Sequence, residues 1–157
     1  MKIKSKPVDE NNFNKFGKIV KDPAGSPTSQ AVDYKFWSDI ANYKIDGETE
    51  VGICKVYAQP VNKITGMERH MLTPEILIPI DAPFALPVLI NGRPEDEIES
   101  FIVKPGEVVI INNNVWHGAC LPVGKKESSY FVIFRRMTPH EDVEKKEISP
   151  VELEIEI

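Results

Sequence analysis

The sequence predicts an all-β fold, a double-sheet jelly roll with one short helix near the N-terminus. Three observations carry this prediction. Thirteen prolines and nine glycines cut the chain into many short apolar segments, with few helical periods between them. Apolar residues alternate with polar ones at Val32, Tyr34 and Phe36, the period of a half-buried strand. Turn signals recur between apolar runs, at Asp46-Gly47, Asn91-Gly92, Pro105-Gly106 and Gly124-Lys125-Lys126. About ten strands and one helix fit a jelly roll.

The helix is expected where Asp9 offers an N-cap, Phe13 and Phe16 share a face, and Gly17 ends the run. It reads as a lid of about two turns across one end of the sandwich. Residues 22–29 are rich in proline, glycine and serine and read as an exposed loop. Residues 51–58 are apolar on both parities apart from Lys55, which predicts a central strand ending at Gln59-Pro60. A short strand spans 67–71 and breaks at Thr73-Pro74, and 75–80 form the next, where Pro79 implies an edge or a bulge. Strands follow at 86–90, 101–103, 108–111, around Trp116, and at 130–134. The acidic run 95–99 reads as a solvated loop or strand edge rather than a metal site. At the C-terminus Val151, Leu153, Ile155 and Ile157 alternate with Glu152, Glu154 and Glu156, an edge strand whose glutamates face water or which crosses to a partner subunit. A homodimer is the expected assembly.

A chain of 157 residues suits one domain over 1–157, since single cores serve roughly 100–200 residues. Its 41% hydrophobic and 27% charged residues can build a core without staples. A net charge of −5 argues against nucleic acid and against anionic membrane surfaces as partners. Cys54 and Cys120 read as reduced, buried thiols. The basic start, Met1-Lys2-Ile3-Lys4, has no apolar stretch after it, so it does not read as a signal peptide. No apolar run approaches the roughly 18–20 residues of a membrane helix. Together these predict a soluble, cytoplasmic protein.

The chemistry-bearing residues lie in two islands. Side chains two apart on a strand share a face, so Glu68 and His70 project together while Arg69 points away. Glu75 opens the following strand, and His117 comes after the polar turn Asn112-Asn113-Asn114. Glu68, His70, Glu75 and His117 have the order of a jelly-roll metal site for one divalent ion such as nickel, manganese, iron or zinc. Each residue also has a plainer reading. The Glu-Arg-His triplet occurs on strands as solvated surface, and His117 beside Trp116 reads as well as a hydrogen-bonded core histidine. Trp37 and Trp116 suit a core, His140 lies in a polar surface stretch, and Cys120 is better read as a buried thiol than as a ligand.

The order of these islands resembles the ureidoglycolate lyase family of the cupin superfamily. Ala58-Gln59-Pro60, Met67-Glu68-Arg69-His70, Ile78-Pro79-Ile80 and Asn114-Val115-Trp116-His117 carry the likeness, with the early Phe16-Gly17 pair. It runs from Phe13 to Arg135. Three positions depart from the pattern: Glu68 stands where general cupins have histidine, Gly118-Ala119 where the family continues with His-Pro, and Tyr57 where it has a basic residue.

The resemblance implies a cupin-type double-stranded β-helix and a carbon-nitrogen lyase that splits ureidoglycolate into urea and glyoxylate, a step of allantoin and purine degradation. For that reaction we expect His117 as general base and Glu68 or His70 as general acid. Lys55, Tyr57, Trp116 and Arg135 would contact the small-molecule substrate, with Lys55 or an arginine, Arg69 or Arg135, on its carboxylate, although strand parity argues against Arg69. The alternatives are another metal-dependent cupin enzyme acting on a small hydroxy acid, and a non-catalytic cupin that binds a small molecule.

Overall fold

Residues 1–155 are described by a computed structural model. Strand β1 (Lys2–Pro7) leads into the one-turn helix α1 (Glu10–Phe13) and then β2 (Gly17–Val20). A small hairpin, β3 (Ser29–Ala31) and β4 (Tyr34–Phe36), precedes the long strands β5 (Thr49–Tyr57) and β6 (Lys63–Arg69). Next come β7 (Glu75–Pro79), β8 (Phe84–Leu89), a 3₁₀ turn at Glu95–Glu97, β9 (Glu99–Val103) and β10 (Val108–Ile111). Two short strands, β11 (Trp116–His117) and β12 (Leu121–Pro122), lead to β13 (Glu127–Arg135). Helix α2 (Thr138–Glu141) then turns the chain into β14 (Glu144–Glu154).

Apart from the separate β3-β4 hairpin, the strands form two facing sheets. One runs β2-β10-β7-β13-β5 and the other β11-β6-β14-β1-β9-β8-β12. In the larger sheet β11 pairs with β8 as well as β6, so the sheet curls round and closes on itself like a barrel. Strand alternation explains why every residue of β8 is buried. Phe84, Leu86 and Val88 join the core between the two sheets, while Ala85 and Leu89 join a second core on the other face. The main core centres on Phe13, Phe16 and Phe101, whose ring centroids lie 5.2–5.8 Å apart. Burying each such side chain stabilises the fold by about 1.5–3 kcal/mol. No helix among the described residues is long and apolar enough to cross a membrane.

The all-β expectation stands, but several elements differ from it. The N-terminal helix is one turn, not two, and it follows a strand hidden in the sequence by its lysines. Asp9 does cap it: its carboxylate accepts from Asn11 and Asn12, and the Asn12 side chain accepts from the Asp9 amide. Gly17 opens β2 instead of ending the helix, because a Cβ there would lie 1.8 Å from the Ile110 carbonyl oxygen. A second short helix, α2, begins after Met137, which sits at φ 70°.

Strand placement differs as well. The segment at Val32 is an exposed hairpin rather than a half-buried strand. β5 is an edge strand and β7, despite Pro79, is interior; the proline is tolerated at the strand's last position. The C-terminal strand is not an edge: β14 lies between β6 and β1. Pairing on both sides places its alternating residues up to Glu154; Glu156 and Ile157 lie outside the described residues.

Candidate active site

The site is assembled from strands of both sheets. His117 on β11 pairs with Glu68 on β6 and with Val88 on β8, and Glu68 pairs in turn with Lys145 on β14. Cross-strand partners share a face, so His117, Glu68 and Lys145 lie in one transverse row. His70 follows the last residue of β6. Glu75 enters from the opposing sheet as the first residue of β7.

Two backbone contacts orient His70. Its Nδ1 lies 2.7 Å from the Asp142 carbonyl oxygen, which makes Nδ1 the protonated donor and leaves Nε2 facing the site. The Asp142 carboxylate accepts from the amides of Met71 and Leu72 at 2.9 and 2.8 Å. The Asn114 backbone amide donates to the His70 carbonyl at 2.7 Å, tying the turn before His117 to the residue it must meet. Asn114 occupies the left-handed region at φ 69°, a conformation that asparagine tolerates better than most residues.

The two imidazoles converge on Glu75. Its Oε2 lies 2.9 Å from His117 Nε2 and 3.5 Å from His70 Nε2, and the ring centroids are 5.2 Å apart. All three side chains are buried. None of these approaches is aligned as a hydrogen bond, so Nε2 of each histidine and Glu75 Oε2 are buried with no hydrogen-bond partner among the described residues. Burial alone would raise the Glu75 carboxyl, but the adjacent imidazoles outweigh it and hold the group well below the usual carboxylate range. Burial opposes the charged form of His70, yet the Glu75 carboxylate, the Asp142 carbonyl and Glu68 together raise it above its ordinary value.

This is the environment a divalent cation fits. Glu68 offers a carboxylate oxygen within 4.8 Å of the nitrogens of His70 and His117, and Glu75 supplies a second carboxylate already against both rings. The two imidazoles and the Glu68 carboxylate, the three groups with ligand spacing, suit a borderline first-row divalent ion. The thiol of Cys120 is not part of the set, because burial pushes it up and keeps it protonated.

A cavity of about 470 Å³ opens over this cluster. β5 and β13 contribute Glu50, Cys54, Val56, Tyr130, Val132 and Phe134 to its wall. Gly118, Ala119 and Lys145 line another side, and Pro139 and Val143 flank it from α2 and the start of β14. Gly118 suits this place because a Cβ would meet Pro87 Cγ at 2.8 Å and Ile64 Cδ1 at 3.0 Å.

The expected substrate contacts do not gather here. Lys55 and Tyr57 project from the exposed parity of β5, away from the cavity. Trp116 faces away from His117, buried in the second core, with its Nε1 on Asn91 and Arg69 and Lys146 over its ring at 4.7 and 4.3 Å. Arg135 follows the cavity-facing Phe134 on β13 and so turns to the other side. His140 is exposed on α2, as expected.

Sequence reasoning missed Lys145, Glu50, Tyr130 and Phe134. The strand parity of β13 marked the last two as a pair. Lys145 lay in a Glu-Lys-Lys-Glu run that reads as solvated surface until its pairing with Glu68 is known.

A family model described as ureidoglycolate lyase matches residues 1–156. Among curated proteins, the ureidoglycolate lyase of a Chelativorans species is 29% identical over 83% of this chain and 84% of its own length. The ureidoglycolate lyase of Mesorhizobium japonicum is 27% identical over 83% of this chain and 85% of its own. Ureidoglycolate lyase 2 of Rhizobium meliloti is 29% identical over 83% of each.

Proposed function

The chain belongs to the ureidoglycolate lyase family, and from that premise we propose that the cavity over His70, Glu75 and His117 is where it eliminates urea from ureidoglycolate. The products are glyoxylate and urea, which places the reaction in purine degradation. The observation that carries the site assignment is the pair of imidazole nitrogens turned toward one buried carboxylate with their hydrogen-bonding capacity unused.

In the substrate one carbon bears a hydroxyl, a carboxylate and the ureido nitrogen. Elimination removes the hydroxyl proton as the C=O bond forms, breaks the C–N bond, and returns a proton to the departing nitrogen. His117, which lines the cavity, takes the hydroxyl proton. His70, whose raised pKa favours the protonated ring, delivers one to the nitrogen, with Glu68 beside both. A positioned acid and a positioned base each contribute about 10²–10⁴-fold.

Glu68, His70, Glu75 and His117 would also hold one divalent ion, nickel, manganese, iron or zinc. When bound, such an ion would polarise the hydroxyl and lower its pKa. An imidazole nitrogen that ligates a metal cannot also carry a proton, so the His117 and His70 roles above belong to the protein without a bound ion. Chelation followed by metal analysis and assay distinguishes the two arrangements.

We read the architecture as a cupin-type double-stranded β-helix in a single domain over the whole chain. The supports are the two facing sheets and a site to which one sheet brings Glu68, His70 and His117 and the other Glu75. We place the protein in a reducing cytoplasm on the two free thiols, Cys54 and Cys120. We also assign a homodimer, supported by the apolar outer face of β5 and β13, where Val51, Ile53 and Phe131 stand exposed.

Urea and glyoxylate release by the purified protein tests the reaction. His70→Ala and His117→Ala are each expected to reduce it by about 10³-fold or more with unchanged circular dichroism. Wild-type rates in either variant remove that residue from the mechanism.

A further inference from the structure

We propose that Lys145 recognises the substrate carboxylate and thereby selects 2-hydroxy acids over their neutral counterparts. The reaction class comes from the family reading above, while the residue comes from geometry. Lys145 pairs with Glu68, which pairs with His117, so ammonium, carboxylate and imidazole stand in one row across three strands. Lys145 lines the 470 Å³ cavity and also an adjoining open groove of about 590 Å³, and the two spaces share Glu68, His117 and Ala119. An anion arriving through the groove therefore meets Lys145 on its way to His117.

Charge singles this residue out. The cavity wall carries Glu50, Glu68 and Glu75, and the chain as a whole has a net charge of −5. A carboxylate entering among three others is repelled unless a cation offsets them. Among the described residues that line the cavity, Lys145 is the one lysine or arginine. Its ammonium makes no ion pair or hydrogen bond within the described residues.

The nearest alternatives are engaged elsewhere. Lys146 lies over the Trp116 ring, and Arg69 binds Glu144, Asn91 and Asn114. Lys55 and Arg135 sit on the far side of their strands. An uncommitted ammonium on a flexible stem is suited to capturing a small carboxylate and releasing the product.

The test compares KM and kcat for urea release in the full chain, Lys145→Met, Lys145→Arg and the exposed-loop control Lys125→Met. Loss of a charge-assisted contact predicts a KM about tenfold or more higher in Lys145→Met, with kcat within about threefold. Lys145→Arg should recover most of that loss, and Lys125→Met should match wild type. An unchanged KM in Lys145→Met overturns the proposal, as does a fall in kcat alone.

If the wild-type protein releases no urea, the reaction reading fails and the role of Lys145 is read from binding. Calorimetric titration then compares glycolate with glycolamide. A preference for glycolate that disappears in Lys145→Met upholds the carboxylate role. A preference that persists, or binding of neither compound by wild type, overturns it.

Discussion

Between His70 and His117, Glu75 carries a charge that is tolerable only because of its neighbours. The imidazoles hold its carboxyl below the ordinary value of 4.5, and the same contacts raise His70 above 6.5. The signs fix a window. A depressed carboxyl contributes stability that is present above about 4.5 and lost as pH falls through the lower folded value. A raised imidazole contributes stability that is present below about 6.5 and lost as pH rises through the higher folded value. Both contributions are complete only between those limits. In chelator-treated protein, the melting temperature of wild type relative to Glu75→Gln should therefore be most favourable between about pH 4.5 and 6.5 and decline on either side. A difference that does not vary with pH would show that the three groups are not coupled.

At the scale of elements, β14 has the largest consequences. Its flanks pair with β6 and β1, which carries Lys145 into register with Glu68 and seats Val151 and Leu153 in the second core. Leu153 is 2% exposed, so Leu153→Ala should cost about 2–5 kcal/mol in denaturant unfolding, the range for a truncated core leucine. On a solvated edge the same change would cost about 0.5 kcal/mol or less, so the measurement separates the two placements. The segment before β14 acts on the site as well: Asp142 clamps the turn after His70 through its carboxylate and orients the ring through its carbonyl.

For the whole molecule, the outer face of the five-stranded sheet is the unusual surface. Val51 pairs with Ile133 and Ile53 with Phe131, and Val51 and Ile53 are 66% and 67% exposed at the sheet's edge. Exposed apolar side chains in adjacent register form a patch of the kind that subunits cover. Light scattering should give twice the chain mass of 17.7 kDa for wild type and a single mass for Ile53→Glu. A monomeric wild type would remove the dimer from the account.

Much of this was readable without coordinates. Proline and glycine punctuation marked an all-β chain, and local chemistry located the Asp9 cap. The period of two put Glu68 and His70 on one face with Arg69 on the other. These are properties of neighbours in sequence, where backbone sterics and side-chain direction operate directly. Pairing decided the rest. Alternation at residues 151–155 looks the same in an edge strand as in one flanked on both sides, and an apolar run such as 51–58 looks central even when it lies at an edge. Lys55 and Arg135 resemble anchors in the sequence, and Lys145 resembles solvated surface. Only the register of β14 against β6 reverses that ranking, because the direction of a strand residue's side chain is local while what it faces is set by strands far away in the chain.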